Sequence, residues 1–382
     1  MDEWGKVKVS DVCEILDNMR VPITASERKA GIYPYYGANG IQDYVDDFIF
    51  DDELVLLAED GGHFGSKTKP IAYRVSGKCW INNHAHVLKP RESMNVDYLC
   101  YAIMFYDVLP LISGTTRAKL NKRAIEKMII SKPPLEVQKQ IAEALAEANL
   151  LIEKRKLQIE KLDLLIKSQF VEMFGNPAVN SKKWEEKKLK ECLVNIESGK
   201  SFVCDSKRRT GNNVAMLKLS AVTYGKYDST ENKAILEEKM FVSKAEVKKG
   251  DLLFTRKNTP ELVGMSAFVY STPPKLMMPD LIFRLNTNEK CNRVYLWTLI
   301  NLDEFRHRVT GLASGSAKSM SNISKERLSN LVLPVPPIEL QTQFADFVNK
   351  VEKTKATLQQ SLTKMEQNYK SLMQKCFRGE IF

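Results

Sequence analysis

The sequence predicts an α+β protein in which two mixed α/β globules are joined by two long helices packed as an antiparallel coiled coil. Three observations support this fold class. One phrase occurs twice, each copy opens a long helical pattern of apolar residues, and each copy follows a globular stretch that begins near a Trp. The duplication predicts a pseudo-two-fold internal repeat.

The repeated phrase is "PPLEVQKQIAEAL" from Pro133 and "PPIELQTQFADFV" from Pro336, 203 positions later, with six of thirteen positions identical. Proline suits a position just before or at the start of a helix, and a Glu in the first turn favours the helix dipole. Gly175 and Gly379 suit left-handed caps at the helix ends. Each predicted helix has roughly 39 residues, about 58 Å at 1.5 Å per residue, and such a length needs a packing partner.

Apolar residues recur along both helices at alternating steps of four and three, which is the period of a coiled-coil seam. The polar residues Arg155 and Lys355 lie at positions of this pattern. They either set the register of the pair or lie exposed within the seam, and the exposed interpretation is favoured. The predicted seam residues are Ile141, Leu145, Ile152, Ile159, Leu162, Ile166, Phe344, Val348, Leu358, Leu362, Met365 and Tyr369.

The two helices could pair in parallel or antiparallel. A two-fold axis perpendicular to them makes the pair antiparallel and places inverted globules at opposite ends. Duplex DNA has the same kind of two-fold, so such a protein suits two half-sites roughly 34 Å apart, about one helical turn. Different globules predict different half-sites and an asymmetric composite site. The alternative is a coiled-coil adaptor that joins proteins without reading DNA sequence.

Composition favours a nucleic-acid partner. Lys and Arg number 57 against 47 Asp and Glu, a formal net charge of +10, with a pI near 9.0. The sequence contains no run of eighteen apolar residues, and its polar N-terminus lacks the apolar segment of a secretory signal. Seven scattered cysteines without a C-x-x-C pair suggest free thiols in a reducing compartment. We therefore expect a cytoplasmic protein without a membrane span.

The sequence holds no complete catalytic constellation. "GGHFGSKTKP" at 61–70 lacks the spacing of a phosphate-binding P-loop, and no amino-methylation motif occurs because Asn176-Pro177 runs on to Ala178. His84 and His86 are predicted on one face of a strand, but no nearby Cys, Asp or Glu completes a metal-binding set. We predict no metal site, and a standalone methyltransferase or nuclease is the least favoured function.

The globules carry polar loops rich in Asn, His, Arg and Lys, the side chains that hydrogen-bond base edges and phosphates. "SGTTRAKLN" at 113–121 and "SGSAKSMSN" at 314–322 are similar junctions that suit phosphate contacts. For any single residue the alternative is an ordinary surface loop. The predicted DNA-binding residues are Tyr36, Asn39, His63, Ser66, Lys67, Lys69, Asn83, His84, Arg117, Lys119, Lys122, Lys207, Arg208, Arg209, Arg256, Lys257, Asn258, Lys318 and Asn322.

Several segments in this order resemble one known family. They are the paired helix starts, the Trp-led openings, "YPYYGANGI", "INNHAHVL", "GTTRAKLN", "GDLLFTRKNTPELVG" and "MPDLIFRL". Together they resemble the specificity subunit of type I restriction-modification enzymes over essentially the whole chain. The resemblance implies target-recognition domains at 1–132 and 178–335, with conserved helical spacers at 133–177 and 336–382.

The resemblance further implies a non-catalytic subunit that reads a bipartite site in double-stranded DNA. Its coiled coil would set the gap between the half-sites and dock two modification (methyltransferase) subunits, which restriction (endonuclease/translocase) subunits can join. S-adenosylmethionine, ATP and Mg would belong to those partners, so no cofactor is expected here. Recognition domains vary within the family, so only the two helix starts are carried over, as scaffold and docking elements.

Overall fold

The computed structural model describes residues 4–114, 118–314 and 320–382. The chain divides into two compact units, which we call unit 1 (residues 1–156 and 360–382) and unit 2 (residues 157–359). Each unit contains β-sheets, short helices and part of both long helices. The α+β fold class is therefore confirmed.

Unit 1 is built on one six-stranded sheet. From the N-terminus through the first long helix, the elements are β1 (Lys6–Lys8), α1 (Val9–Val12), β2 (Cys13–Ile15), β3 (Ala30–Gly37), β4 (Gly40–Val45), β5 (Phe50–Ala58), β6 (Ala72–Ile81), β7 (Ala85–Pro90), α2 (Val96–Ile103), α3 (Lys122–Ile125), β8 (Ile129–Ser131) and α4 (Leu135–Phe174). The sheet order is β2-β7-β5-β6-β3-β4, with β3 and β6 parallel and the other neighbours antiparallel. β1 pairs separately with β8, so the chain start lies beside the strand that leads into α4.

The apolar run "LVLLA" in β5 is explained by burial on both faces of the sheet. Val55 and Leu57 pack in the core that contains α2 and the start of α4, whereas Leu54 and Leu56 pack in a second core on the opposite face. All four side chains are fully buried. Alternate residues of a strand point to opposite faces, so a central strand covered on both sides reads as a continuous apolar run.

Unit 2 carries smaller sheets. Its remaining elements are β9 (Glu186–Lys188), β10 (Leu193–Ser198), β11 (Ala215–Leu217), α5 (Ser220–Thr223), β12 (Asn232–Ala234), β13 (Leu252–Thr255), β14 (Lys257–Asn258), β15 (Ser266–Phe268), β16 (Leu276–Met277), β17 (Ile282–Thr287), α6 (Arg293–Asn301), α7 (Asp303–Thr310), β18 (Ser321–Asn322), α8 (Lys325–Ser329), β19 (Val332–Pro334) and α9 (Ile338–Phe377). Four strands pair in the order β10-β17-β13-β15 and three in the order β12-β11-β16. β9 pairs with β19, as β1 pairs with β8 in unit 1.

The two long helices begin and end close to the predicted positions. α4 and α9 are each 40 residues long and start directly after the two proline pairs. Gly175 follows α4 with a φ of +79°, and Gly379 follows α9 with a φ of +69°. Both glycines therefore adopt the left-handed conformation that was predicted for helix caps. Of the helices in the described ranges, none combines the length and apolar character that crossing a bilayer requires.

Within each unit the two helices run in opposite directions. In unit 1, Leu145 from the first part of α4 shares a core with Cys376 from the last part of α9. In unit 2, Phe170 from the last part of α4 packs against Phe344 from the first part of α9, with ring centroids 5.4 Å apart. These contacts confirm the antiparallel pairing.

The predicted seam positions are buried or half-buried along both helices. Ile141, Leu145, Phe344 and Val348 are fully buried, whereas Ile159, Leu162, Leu358, Met365 and Tyr369 are partly covered. The favoured interpretation of Lys355 was wrong. Its side chain is 12% exposed and contacts Asp163 at 2.6 Å and Glu352 at 2.8 Å. This lysine is tolerated in the seam because two carboxylates replace the water that its ammonium group loses.

The glutamines that recur in the two repeated segments have the same structural role in both units. Gln138 is fully buried, donates to the Pro133 carbonyl at 2.9 Å and accepts from the Asn95 N–H at 2.8 Å. Gln341 is equally buried and makes the matching contacts with its own helix-leading proline at 2.7 Å and with Asn292 at 2.8 Å. Asn95 caps α2 and Asn292 caps α6, so each glutamine joins a long helix to a short helix of its globule.

Candidate nucleic-acid interface

Three loops of unit 1 that carry predicted DNA-binding residues meet around the segment after β5. The Asn39 side chain donates to the Gly61 carbonyl at 3.0 Å. His84 Nδ1 lies 2.8 Å from Asp60 Oδ1, and the backbone of Asp60 forms an isolated β-bridge with Lys119. The structure therefore brings Asn39, His84 and Lys119 into one polar surface, although they are far apart in the sequence.

The loop at 59–71 displays two of the predicted lysines on a defined turn. Ser66 Oγ accepts from the backbone N–H of Lys69 at 2.9 Å, which holds the turn in place. Lys67 and Lys69 are exposed, and His63 is half-buried. Exposed lysines on an ordered turn suit phosphate contacts, because the ammonium groups stay hydrated until a phosphate replaces the water.

The other predicted residues of unit 1 differ in exposure. Asn83 and Lys122 are exposed, and Lys122 is the first residue of α3. Tyr36 is half-buried against Tyr73, with ring centroids 5.9 Å apart, and burial raises its pKa. Its ring therefore belongs to the core contact of β3. Arg117 and Lys318, also predicted to bind DNA, lie outside the described residues.

Beneath this surface lies a charge cluster that sequence reasoning missed. Glu59 is 8% exposed, and its two carboxylate oxygens contact Lys119 Nζ at 2.8 Å and Arg20 NH1 at 2.6 Å. Burial alone would raise the pKa of Glu59, but the hydrogen bonds from Lys119 and Arg20 outweigh it and hold the pKa below its ordinary value. The Lys119 ammonium is therefore already paired with a carboxylate of the protein. Arg20 links its own loop to Glu59, which is distant from it in sequence.

The same cluster corrects the prediction about the two histidines. They do not share a strand: His84 precedes β7, whereas His86 lies in β7 and is buried with Nδ1 2.6 Å from Asp17 Oδ2 and Nε2 2.6 Å from the Leu120 carbonyl. Asp17, Glu59 and His86 have the spacing of a metal-binding set, so acids that are distant in sequence do surround His86. Folding brought them there, and no local sequence signal could have shown it.

The carboxylates of this cluster nevertheless already have hydrogen-bond donors from the protein. Asp17 accepts from His86 and from the Val87 backbone N–H at 3.0 Å, and Glu59 accepts from Lys119 and Arg20. A metal ion would have to displace these donors. Both His86 nitrogens already lie within hydrogen-bond distance of protein oxygens. The cluster is best interpreted as a buried support for the loops above it.

In unit 2 four predicted residues come together on a short strand pair. Lys257 pairs with Asn322 and Asn258 pairs with Ser321 across β14 and β18. Arg256 Nε donates to Asn322 Oδ1 at 3.3 Å. The Asn258 side chain is 8% exposed and donates to a buried threonine hydroxyl at 3.0 Å, so it is directed inward. Arg256, Lys257 and Asn322 are half-buried and form the accessible part of this group.

The predicted basic turn of unit 2 contains residues of two kinds. Lys207 and Arg208 are exposed. The Arg209 guanidinium instead donates to the carbonyls of Asn213 at 2.9 Å and Pro274 at 2.7 Å, and burial lowers its pKa. Arg209 therefore ties two loops together. Among the residues that the structure describes, no hydrogen bond joins this turn to the Arg256 group.

The junction similarity seen in the sequence extends to backbone geometry. Ser113 and Lys119 exchange two backbone hydrogen bonds of 2.9 and 2.8 Å in unit 1. Ser314 and Asn322 exchange the matching pair of 2.9 and 3.1 Å in unit 2. Lys119 then pairs with the segment after β5, and Asn322 with the segment after β13. Both units thus place predicted DNA-binding residues at the same position of a repeated framework.

Comparison with known proteins identifies this framework. The family model described as the type I restriction modification DNA specificity domain matches residues 1–161 and again residues 181–367. The chain belongs to this family. The double match confirms the internal repeat, and membership confirms the resemblance to type I specificity subunits. It favours DNA-sequence specificity over the adaptor interpretation.

Two relatives in this specificity family match along most of their length. A putative type I restriction enzyme specificity subunit of Haemophilus influenzae is 26% identical over 94% of this chain and 89% of its own. The type I restriction enzyme MjaVIII specificity subunit of Methanocaldococcus jannaschii is 23% identical over 100% of this chain and 93% of its own. A crystal structure of the S subunit of a type I restriction-modification system from M. genitalium superposes with a TM-score of 0.61 at 12% identity, covering 98% of this chain and 96% of that one. This structural likeness shows the fold.

Proposed function

We propose that this specificity subunit reads an asymmetric, bipartite site in double-stranded DNA, with one half-site for each globule. The recognition domains would be 1–132 and 178–335, joined by the helical spacers 133–177 and 336–382. The observation that carries the proposal is the double match to a DNA specificity domain. Two copies of one framework with different loops predict two unlike half-sites.

The loop surfaces support this proposal with the side chains that they expose. In unit 1, Lys67, Lys69 and Asn83 are exposed around the polar surface where three loops meet. In unit 2, Lys207 and Arg208 are exposed on their turn. Lysine and arginine would position the protein on phosphates, and amide side chains would read base edges in the grooves.

The helices would set the gap between the half-sites and dock two modification (methyltransferase) subunits, to which restriction (endonuclease/translocase) subunits can add. The chain itself would act without catalysis. S-adenosylmethionine, ATP and Mg would be bound by those partners, and the complex would work in the cytoplasm. The pairing of α4 and α9 within each unit supports the spacer role, because buried seam residues hold the two helices together there.

The proposal is tested by selecting duplexes from a random DNA pool with the chain and its modification subunit purified together. We expect a split motif with two unlike halves and one fixed gap. Replacing the surface residues of the unit 2 turn, Lys207 and Arg208, should weaken binding without altering the unit 1 half-motif. Binding that depends on salt alone, with no enriched motif, would contradict sequence reading.

A further inference from the structure

Unit 1 contains an open groove beside the predicted DNA-reading loop. It has a volume of about 1080 Å³ and lies between α2 and the paired helices, which contribute residues 149–156 of α4 and 366–377 of α9. Tyr101, Met373 and Phe377 line it and are half-buried, and Phe105 beside them is 38% exposed. We call this surface the unit 1 groove. A concave surface lined by aromatic residues and methionine is typical of a binding site.

Unit 2 has the corresponding place, and it is largely filled. The caps Asn95 and Asn292 occupy equivalent positions because each donates its backbone N–H to the side-chain oxygen of a repeated glutamine, so Cys100 of α2 corresponds to Trp297 of α6. Trp297 lines a cavity of about 360 Å³ at this place. The larger side chain reduces the space, but it does not act alone.

A segment of the chain itself covers the unit 2 position. The Trp297 indole N–H donates to the Gly225 carbonyl at 2.9 Å, and Lys226 Nζ contacts Asp163 Oδ2 on α4 at 2.7 Å. This segment, residues 224–226, belongs to the stretch between β10 and β13 at 199–251. The stretch between β2 and β5 in unit 1, at 16–49, is shorter. We call residues 224–226 the covering turn.

The acid that receives the covering turn has a counterpart in the unit 1 groove. The two helices are related by an offset of 203 positions. Asp163 of α4 therefore corresponds to Glu366 of α9. Asp163 contacts two lysines, Lys226 at 2.7 Å and Lys355 at 2.6 Å. Glu366 lines the groove, is 46% exposed and lies 4.0 Å from Lys156. Glu366 of the groove therefore corresponds to Asp163, the carboxylate that binds the lysine of the covering turn in unit 2.

We propose that the unit 1 groove is a docking site for a turn of the modification subunit that presents a Lys or Arg to Glu366, as Lys226 meets Asp163. This inference rests on the proposed function, because it assumes assembly with that partner. The covering turn supplies the template for the ionic contact: a cation on a turn that meets a carboxylate of the long helix. Lys67 of the predicted DNA-reading loop lies on the groove rim, so the docked turn would adjoin bound DNA.

A consequence is that the two modification subunits bind unequally. One depends on the unit 1 groove, whereas the other meets a unit whose corresponding place is already covered. The test uses Phe105→Asp, which puts a charge on an exposed aromatic of the groove, and Glu366→Gln, which removes the carboxylate and keeps its length. The matched control is Tyr224→Asp, because Tyr224 is 71% exposed on the covering turn.

Assembly of the full-length chain with the modification subunit is measured by titration and native mass spectrometry. We expect a complex with two modification subunits for the unaltered chain and for Tyr224→Asp. For Phe105→Asp we expect the second subunit to bind at least about tenfold more weakly, as for loss of an interface anchor, so that one-to-one complexes accumulate. Glu366→Gln should show the same direction with a smaller change.

The outcomes distinguish failure of the docking site from failure of the proposed function. If the unaltered chain does not bind the modification subunit, the proposed function is wrong. If it binds two copies and both groove variants bind them unchanged, the docking site is wrong. Loss of DNA affinity with unchanged assembly would mean that the groove holds DNA, which also overturns the proposal. If Phe105→Asp fails to fold, as judged by circular dichroism, Glu366→Gln decides.

Discussion

The two units share their junctions and differ in what surrounds them. Gln138 and Gln341 make the same pair of hydrogen bonds within 0.2 Å, and both are fully buried. The matched positions on the partner helices differ. Phe170 of unit 2 packs among aromatic rings, whereas Met373 of unit 1 lines an open groove. The attachment of globule to helix is thus retained in both units, while the surfaces beside it differ. Variants at matched positions test this contrast.

The largest difference is expected from Phe170→Ala and Met373→Ala, which occupy matched positions on α4 and α9. Phe170 is fully buried, with ring centroids 4.8 Å from Phe174, 5.4 Å from Tyr295 and 5.4 Å from Phe344. Truncating a buried Phe costs about 3–5 kcal/mol of unfolding free energy, because a cavity remains. Met373 is half-buried, so its truncation should cost about 1 kcal/mol. Calorimetric unfolding that gave equal losses would contradict the contrast.

The junction variants Gln138→Leu and Gln341→Leu should instead behave alike. Each change leaves a buried proline carbonyl and a half-buried asparagine N–H without its glutamine partner. An unsatisfied buried group costs about 1–3 kcal/mol, so each variant should lose at least that much unfolding free energy. Hydrogen exchange at Asn95 and Asn292 reports each junction separately. If protection were lost in one unit and unchanged in the other, the glutamine would not stabilise the junction of the unit that stays protected.

Local sequence signals predicted the helical framework well. Proline pairs, a terminal glycine and a sustained step of four and three fix where α4 and α9 begin, end and pack, because these signals act within one or two turns of the helix. The buried role of Gln138 was also readable in principle. A polar residue repeated at the same place after both proline pairs, beside the seam, indicates a buried hydrogen bond.

The charge clusters were not readable from sequence. Glu59 lies in a stretch that reads as a polar turn, and its partners Arg20 and Lys119 come from loops 39 and 60 positions away. The same holds for Lys355 and Asp163, which belong to different helices. Pairings of this kind depend on tertiary structure, so neither the burial of these groups nor their partners follows from local composition. Which exposed residues touch DNA stays a prediction for the same reason.

The ion pairs of unit 2 should make its stability sensitive to acid. Burial alone would raise the pKa of Asp163, but hydrogen bonds from Lys226 and Lys355 hold it below its ordinary value of 3.8. A lowered pKa stabilises the folded chain above the ordinary value, and this contribution is lost as the pH falls below about 4. Asp163 is 35% exposed, so the loss should be about 0.5–1 kcal/mol.

Lys355→Met tests the source of that sensitivity. Unit 1 has Ile152 at the matched position, so an apolar residue fits the seam. We expect the difference in urea midpoint between pH 7 and pH 3 to shrink relative to the unaltered chain. Asp163→Asn is the control, since it removes the titrating group. An unchanged pH dependence in Lys355→Met would assign the shift to Lys226 alone.

The smallest effect on stability is expected at the basic turn of unit 2. Two of its residues should affect DNA binding alone, and the adjacent Arg209 should affect stability. Lys207 and Arg208 are exposed, so replacing both by Ala should leave the melting temperature unchanged. If each contacts a phosphate, the salt dependence of DNA binding should decrease by about one unit of slope per residue. Arg209→Ala removes two hydrogen bonds to loop carbonyls and should lower stability by about 1–2 kcal/mol.

Salt titrations of DNA binding and melting curves on the double variant and on Arg209→Ala decide this point. A salt slope that is unaltered in the double variant would remove Lys207 and Arg208 from the interface. A change in slope for Arg209→Ala without a loss of stability would show that its guanidinium leaves the carbonyls of Asn213 and Pro274 to contact DNA. In that case the turn rearranges on binding, and the exposure of a side chain in the free protein is a poor guide to which residues of this loop meet the phosphates.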